Sequence, residues 1–239
     1  MKILVTRPQP QADTTARKLV AMGHEVVLEP MLHFQPLSLD EDVVGGAKAI
    51  AVTSAKAIEA LAFNKLIEPL QLLPLYSVGE ATAQAAKGAG FQNIMCAEGD
   101  VGSLANLIGE HSQQGPVFYP AAVDRSGDLS GQLAGLGVAC NMVEAYQMSA
   151  ASQLSAQTHR LITAGEIDCT LFYSLRTIQV FLSLCNLEKT TVFLNSMKAL
   201  CVSNRVAEQT ASFGEVFVAK TPSEDGLFEL LAPARSERT

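Results

Sequence analysis

Residues Ala49 to Leu61 read AIAVTSAKAIEAL. The apolar run Ala49 to Val52 has the composition of a buried parallel strand, and Ala55 to Leu61 has that of a helix. Thr53-Ser54 stands at the junction. A helix N-terminus opening above a strand end places hydroxyls, backbone N–H groups and the positive end of the helix dipole at one sheet edge. Such an edge suits a phosphate or a carboxylate. The plainer reading is that Ser54 is an N-cap and nothing more.

The stretch has an echo. Cys169 to Leu182, CTLFYSLRTIQVFL, repeats its form, with Tyr173-Ser174 standing 120 residues after Thr53-Ser54. Tyr76 to Ala83, YSVGEATA, matches Leu200 to Ala207, LCVSNRVA, at an offset of 124. That offset also relates Gly90 to Gly214, Gly102 to Gly226 and Leu107 to Leu231. A third echo begins at the N-terminus, where a strand at Lys2 to Thr6, a helix at Gln11 to Met22, Gly23 and a strand at Glu25 to Leu28 follow one another. They return 114 residues later as VFYP at 117–120, a helix about Asp128 to Leu136, Gly137 and VACNMVEAY. The units therefore run A, B, A, B, over about 1–35, 48–110, 115–147 and 167–232. This is the mark of a duplicated α/β domain.

Two pairings of the units are open. Sequential pairing crosses between domains once, near 111–116, where His111 to Gly115 reads as a surface loop. Nested pairing crosses twice, near 34–40 and 146–152. Pro30 to Pro36 and Val143 to Met148 both read as extended and suit two strands pairing as a bridge, which favours nesting. The expected domains are then 1–35 plus 150–239, discontinuous, and an inserted 38–146, each a parallel sheet flanked by helices.

Composition excludes several classes. Of 239 residues 48% are apolar and 17% charged, and no apolar run approaches the roughly 20 residues that span a bilayer. The start, MKILVTRPQ, lacks the apolar core of a secretory signal, so a cytoplasmic protein is expected. The five cysteines form no CxxC pair and read as small buried apolar residues, most of them in strand-like runs. The four histidines show no HxxxH or HExxH spacing, so no metal site is expected. A net charge of −7 without a basic cluster argues against nucleic acid. No GxxxxGK[ST] and no GxGxxG after a strand is present, which removes the common nucleotide folds.

Taken together, VTRP at 5–8, VTSAKAI at 52–58, VGEATA at 78–83, FYP at 118–120, EAYQ at 144–147 and FYSLRT at 172–177 resemble uroporphyrinogen-III synthase. The resemblance covers residues 1 to about 232. It implies two nested α/β domains joined by a two-stranded linker, with the active site in the cleft between them. It further implies an enzyme of haem biosynthesis that closes hydroxymethylbilane to uroporphyrinogen III. Water is lost and the last ring is inverted through a spiro intermediate. No cofactor is implied, and the expected state is a cytoplasmic monomer with a small-molecule tetrapyrrole substrate, no membrane, and at most transient contact with hydroxymethylbilane synthase.

The substrate so implied carries an acetate and a propionate on every ring, which suits helix N-termini as anion holders. The turns that would supply them are Thr53-Ser54-Ala55, Gly79-Glu80-Ala81, Ser174-Leu175 and Ser203-Asn204-Arg205, with backbone amides doing most of the holding. Lys56, Arg176, Arg205 and Arg7 are the candidate point charges, and Glu80 is included for its backbone alone. Tyr146, in EAYQ, matches the family's linker tyrosine and is the candidate proton donor to the leaving hydroxyl. Ser203-Asn204-Arg205 departs from the family's Gly-Pro-Thr-like turn, and Ala121 to Arg125 from a Gly with basic residues, so no ligand is assigned there. A non-enzymatic intracellular anion sensor is the competing class.

Overall fold

The computed structural model describes residues 1–111, 115–125 and 127–231. All but the ends of the loop expected over His111 to Gly115 therefore fall outside the described residues. The chain runs β1 (Lys2–Val5), α1 (Gln11–Ala21), β2 (Glu25–Leu28), β3 (Leu32–Pro36), β4 (Ala49–Val52), α2 (Ala55–Phe63), the single turn α3 (Ile67–Leu70), β5 (Leu75–Val78), α4 (Glu80–Gly88), β6 (Ile94–Ala97) and α5 (Val101–His111). It continues through β7 (Val117–Ala122), α6 (Leu129–Gly135), β8 (Cys140–Ala150), α7 (Ala156–Thr163), β9 (Cys169–Phe172), α8 (Leu175–Leu187), β10 (Lys198–Cys201), α9 (Asn204–Ala207), β11 (Glu215–Val218) and α10 (Glu224–Glu229).

Local chemistry explains the alternation. Ser54, Ser155, Ser174 and Ser223 each stand before a helix in extended or β-like backbone and accept a hydrogen bond from its first turn. Gly23 and Gly137 follow α1 and α6 with φ of +85° and +75°, a conformation that ends a helix and turns the chain back to the sheet. These two glycines are the pair that the offset of 114 relates.

The chain divides into two compact units, Met1–His33 with Ser149–Thr239, and Phe34–Met148. The first holds a five-stranded sheet in the order β11-β10-β9-β1-β2, parallel throughout. The second holds the order β3-β8-β7-β4-β5-β6, in which β8 to β6 are parallel. Exchanging β7, β8, β4, β5 and β6 for β1, β2, β9, β10 and β11 converts one order into the other, so the repeat in sequence is a repeat in topology.

Each sheet is covered on both faces, as parallel sheets require. In the first unit α8 packs on one face with Phe172, Phe181 and Phe213, and α1 on the other with Ile3, Val5 and Leu171. In the second, α2 and α4 cover one face and α5 and α6 the opposite one. The central strands β4 and β9 are buried at all four positions. Phe172 and Phe181 lie 5.5 Å apart between ring centres, and Phe213 stands edge-on to Phe172 at 5.6 Å. Truncating one ring of this triad leaves a cavity that its neighbours cannot fill. Phe181→Ala should lower unfolding free energy by about 3 to 5 kcal/mol, read as a lower denaturant midpoint at an unchanged slope. A change below about 1 kcal/mol would contradict this packing.

Candidate functional site

At the end of β4 the chain leaves the sheet through Thr53 and Ser54. Ser54 is extended, with φ −157° and ψ 146°, and its side chain accepts from the Lys56 N–H at 3.2 Å. Ala57 donates its own N–H to the Ser54 carbonyl at 3.0 Å. The first turn of α2 is thus partly satisfied by its own cap, and the hydroxyls of Thr53 and Ser54 carry the polar chemistry of this edge. Both residues line a cavity of about 590 Å³. Its walls come from the ends of three more strands and from within a fourth: Val78 of β5, Asp100 to Gly102 after β6, Ala122, Asp124, Arg125 and Gly127 at and after β7, and Tyr146 within β8, with Gln132 of α6 beside them.

Tyr146 arrives there through an irregularity. Ala121 pairs with Glu144 but Ala122 pairs with Tyr146, so Ala145 is an extra residue in β8. Such a bulge breaks the alternation of faces. Ala145 and Tyr146 are accordingly buried in succession, at 0% and 4% exposure. The Tyr146 ring packs against Phe34, with centres 5.7 Å apart. Burial pushes its phenol above the ordinary value of 10.0, an effect that a hydrogen bond with Ser54 offsets in part and the nearby Tyr119 reinforces. The phenol is therefore a protonated donor throughout the neutral range.

The charges around the cavity are mixed. Arg125 donates to the Ala122 and Val123 carbonyls at 2.9 and 3.1 Å, and to the Glu144 carboxylate at 3.1 Å. Asp100 caps α5, accepting from the Gly102 and Ser103 N–H groups at 2.9 and 3.1 Å. Lys56 is held by Glu59 at 2.8 Å and lies 4.9 Å from the Phe34 ring centre. Gly79, with φ +73°, donates its N–H to the Ala97 carbonyl, and the exposed Glu80 accepts from Gln84. Neither they nor Ala81 belong to the cavity lining, although Val78 beside them does.

In the first unit the expected residues stand in equivalent places with different surroundings. Ser174 caps α8, accepting from the Thr177 N–H at 3.2 Å, while Leu175 packs on the core and Arg176 is exposed. Arg7 is half-buried. Its guanidinium donates to Glu224 at 2.9 Å and to Thr15 at 3.1 Å, and lies 4.2 Å from the Tyr173 ring centre. Lys18 closes the same ion-pair cluster on Glu224. The turn at Ser203, Asn204 and Arg205 does not open a helix of useful length. α9 is a single turn, Ser203 makes no side-chain cap bond, and Arg205 is the second of its four residues. So short a helix carries little dipole.

The cysteines also divide. Cys169, Cys185 and Cys201 are buried, with burial pushing their thiols up to about 12, 11 and 12, but Cys96 is exposed and Cys140 is half-buried. Cys185 lies on a helix rather than in a strand. Among the described residues no group of His, Cys, Asp or Glu is placed to hold a metal ion, and no helix is long and apolar enough to cross a membrane.

A sequence model of uroporphyrinogen-III synthase HemD matches residues 13–229. The chain belongs to the uroporphyrinogen-III synthase family. It is 25% identical over 248 residues to porphyrin biosynthesis protein HemD of Ruminiclostridium josui, covering 96% of this chain and 48% of that one. The chain thus spans about half the length of that relative. The fold matches uroporphyrinogen-III synthetase of Helicobacter pylori with a TM-score of 0.65 at 18% identity, over 96% of this chain and 97% of the other. It matches a mutant uroporphyrinogen III synthase of Thermus thermophilus with a TM-score of 0.57 at 16% identity, over 97% of each chain.

Within this family frame, the site residues that sequence reasoning missed are those of the loops after β6 and β7, among them Asp100, Asp124 and Arg125. Their signal was topological. In an open parallel sheet, ligands collect outside the carboxyl ends of the strands where the strand order reverses. The family resemblance also made Arg7 a substrate contact, whereas the fold gives it a partner 217 residues away in Glu224. Burial works to raise the Glu224 carboxyl, but hydrogen bonds from Lys18 and Thr15 and the charges of Lys18 and Arg7 outweigh it and hold it low. A carboxyl lowered in the folded state stabilises above its ordinary pKa, and the gain is lost as pH falls through the folded value. Glu224→Gln should therefore reduce stability at neutral pH, by a margin that shrinks as pH drops below the ordinary 4.5. A margin independent of pH in denaturation series would show that the charge of Glu224 is not what stabilises.

Proposed function

We propose that this chain is a cyclising lyase that closes hydroxymethylbilane to uroporphyrinogen III, with loss of water and inversion of the last ring. Family membership supports the reaction, and one observation supports the site: the protonated phenol of Tyr146, turned by a bulge onto Ser54 beside a cavity. The electron-rich terminal pyrrole expels hydroxide to give an azafulvene, and Tyr146 assists by donating to the departing oxygen. Attack by the substituted carbon of the last ring then forms the spiro intermediate, which fragments and recloses as the inverted isomer. The protein's larger task is to hold the chain in the conformer that favours this attack over direct closure.

Thr53 and Ser54 suit the hydroxyl end of the substrate, since hydroxyl groups accept and donate as an alcohol leaves as water. Arg125, tied by backbone carbonyls and Glu144, suits a ring carboxylate at the cavity rim. The reading retains a cytoplasmic monomer acting on a substrate delivered by the preceding synthase.

The test supplies hydroxymethylbilane from its synthase, adds this protein, and separates the oxidised uroporphyrin isomers against a control without it. Type III should dominate; a folded protein that leaves the spontaneous type I pattern would refute the reading. Tyr146→Phe should slow formation of type III by up to about 100-fold, the low end of general acid catalysis, because the leaving group ionises readily. Because burial raises the phenol above its ordinary 10.0, the pH profile of the parent should lose activity from this group only at a higher pH than an ordinary tyrosine would give.

A further inference from the structure

Two tyrosines reach the Thr53-Ser54 turn from opposite faces of the second unit's sheet. Tyr146 comes from the face covered by α2 and α4, and Tyr119 of β7 from the face covered by α5 and α6. Tyr119 is 2% exposed and lies among apolar side chains that include Tyr76, Ala121 and Leu129. A phenol buried in such surroundings requires a polar partner. Its Oη stands 3.4 Å from Thr53 Oγ1. Thr53 faces the cavity while Tyr119 lies behind it.

A threonine side chain chooses among staggered χ1 wells, and a fixed hydroxyl behind it favours the well that keeps Oγ1 within reach. At 3.4 Å the contact is longer than a formed O–H···O bond, as catalytic hydrogen bonds often are before substrate tightens them. The arrangement is symmetric about the sheet edge: Tyr119 with Thr53 on one side, Tyr146 with Ser54 on the other.

Resting on the synthase reading above, we infer that Tyr119 is a positioning residue, which through Thr53 fixes one half of a hydroxyl cradle whose other half is Ser54 with Tyr146. It transfers no proton. Its work is to hold the Thr53 hydroxyl where it can accept from, or donate to, the oxygen that leaves as water. Tyr119 also reaches Tyr146 through its charge, the smallest of the causes that set the raised pKa of that phenol.

Tyr119→Phe keeps the ring and removes the hydroxyl; Thr53→Val keeps the shape of its partner. Each should lower kcat for type III formation by about 3- to 10-fold, the scale of one neutral hydrogen bond, with KM unchanged. The double variant should be no slower than Thr53→Val alone, because the two hydroxyls act as one unit. In protein carrying ¹³C-labelled tyrosine, Tyr146 should ionise at lower pH in Tyr119→Phe than in the parent. An active parent matched by Tyr119→Phe in both kcat and the Tyr146 titration overturns this inference and leaves the synthase reading standing. A folded parent that forms only type I overturns the synthase reading, and the catalytic part of this inference with it.

Discussion

The parallel pairing of β4 with β7 is the constraint on which the rest of the second unit depends. The helix that follows β4 covers one face of the sheet and the helix that follows β7 covers the other. Two chains leaving adjacent strand ends in opposite directions cannot fill the space between them, and a crevice remains at the carboxyl edge. Thr53 and Ser54 stand on one side of it and Ala122 to Arg125 on the other. The hydroxyls of Thr53 and Ser54 and the charges of Asp124 and Arg125 meet there because of this divergence.

The first unit has the same divergence at β9 and β1, with α8 and α1 on opposite faces. Its residues have treated the space differently. Arg7, Tyr173 and Glu224 occupy the equivalent strand and helix ends and bind one another. The duplication therefore preserved a frame while the side chains at its open edge diverged. One copy carries hydroxyls beside a cavity, and the other carries an ion-pair cluster that locks the loop after β1 to the start of α10.

Much of this frame was legible in the sequence because it is written in short-range chemistry. Apolar four-residue runs, serines before helices and glycines after them are local signals, and their recurrence at offsets of 114, 120 and 124 exposed the duplication. What escaped was long-range. Nothing near Arg7 announces Glu224, and nothing near Asp100 announces that the loop after β6 will reach the cavity that Thr53 lines. The helix expected after Ser203 forms but stays short: Ser-Asn-Arg starts it, yet the following chain supports only one turn. Tyr146 was found from a resemblance, but its orientation was not, since alternation along β8 is broken by a residue that no composition rule marks.

That broken alternation has a consequence for how such a site can be lost. Were β8 to pair with β7 without the bulge, keeping every residue, Tyr146 would fall on the face covered by α5 and α6 and the phenol would leave Ser54. Deleting Ala145 would not do this, because Tyr146 would then follow Glu144 directly and keep the face it now occupies. The site can thus be lost by a change of pairing with no change of residue, and register along this strand is itself an inherited part of it.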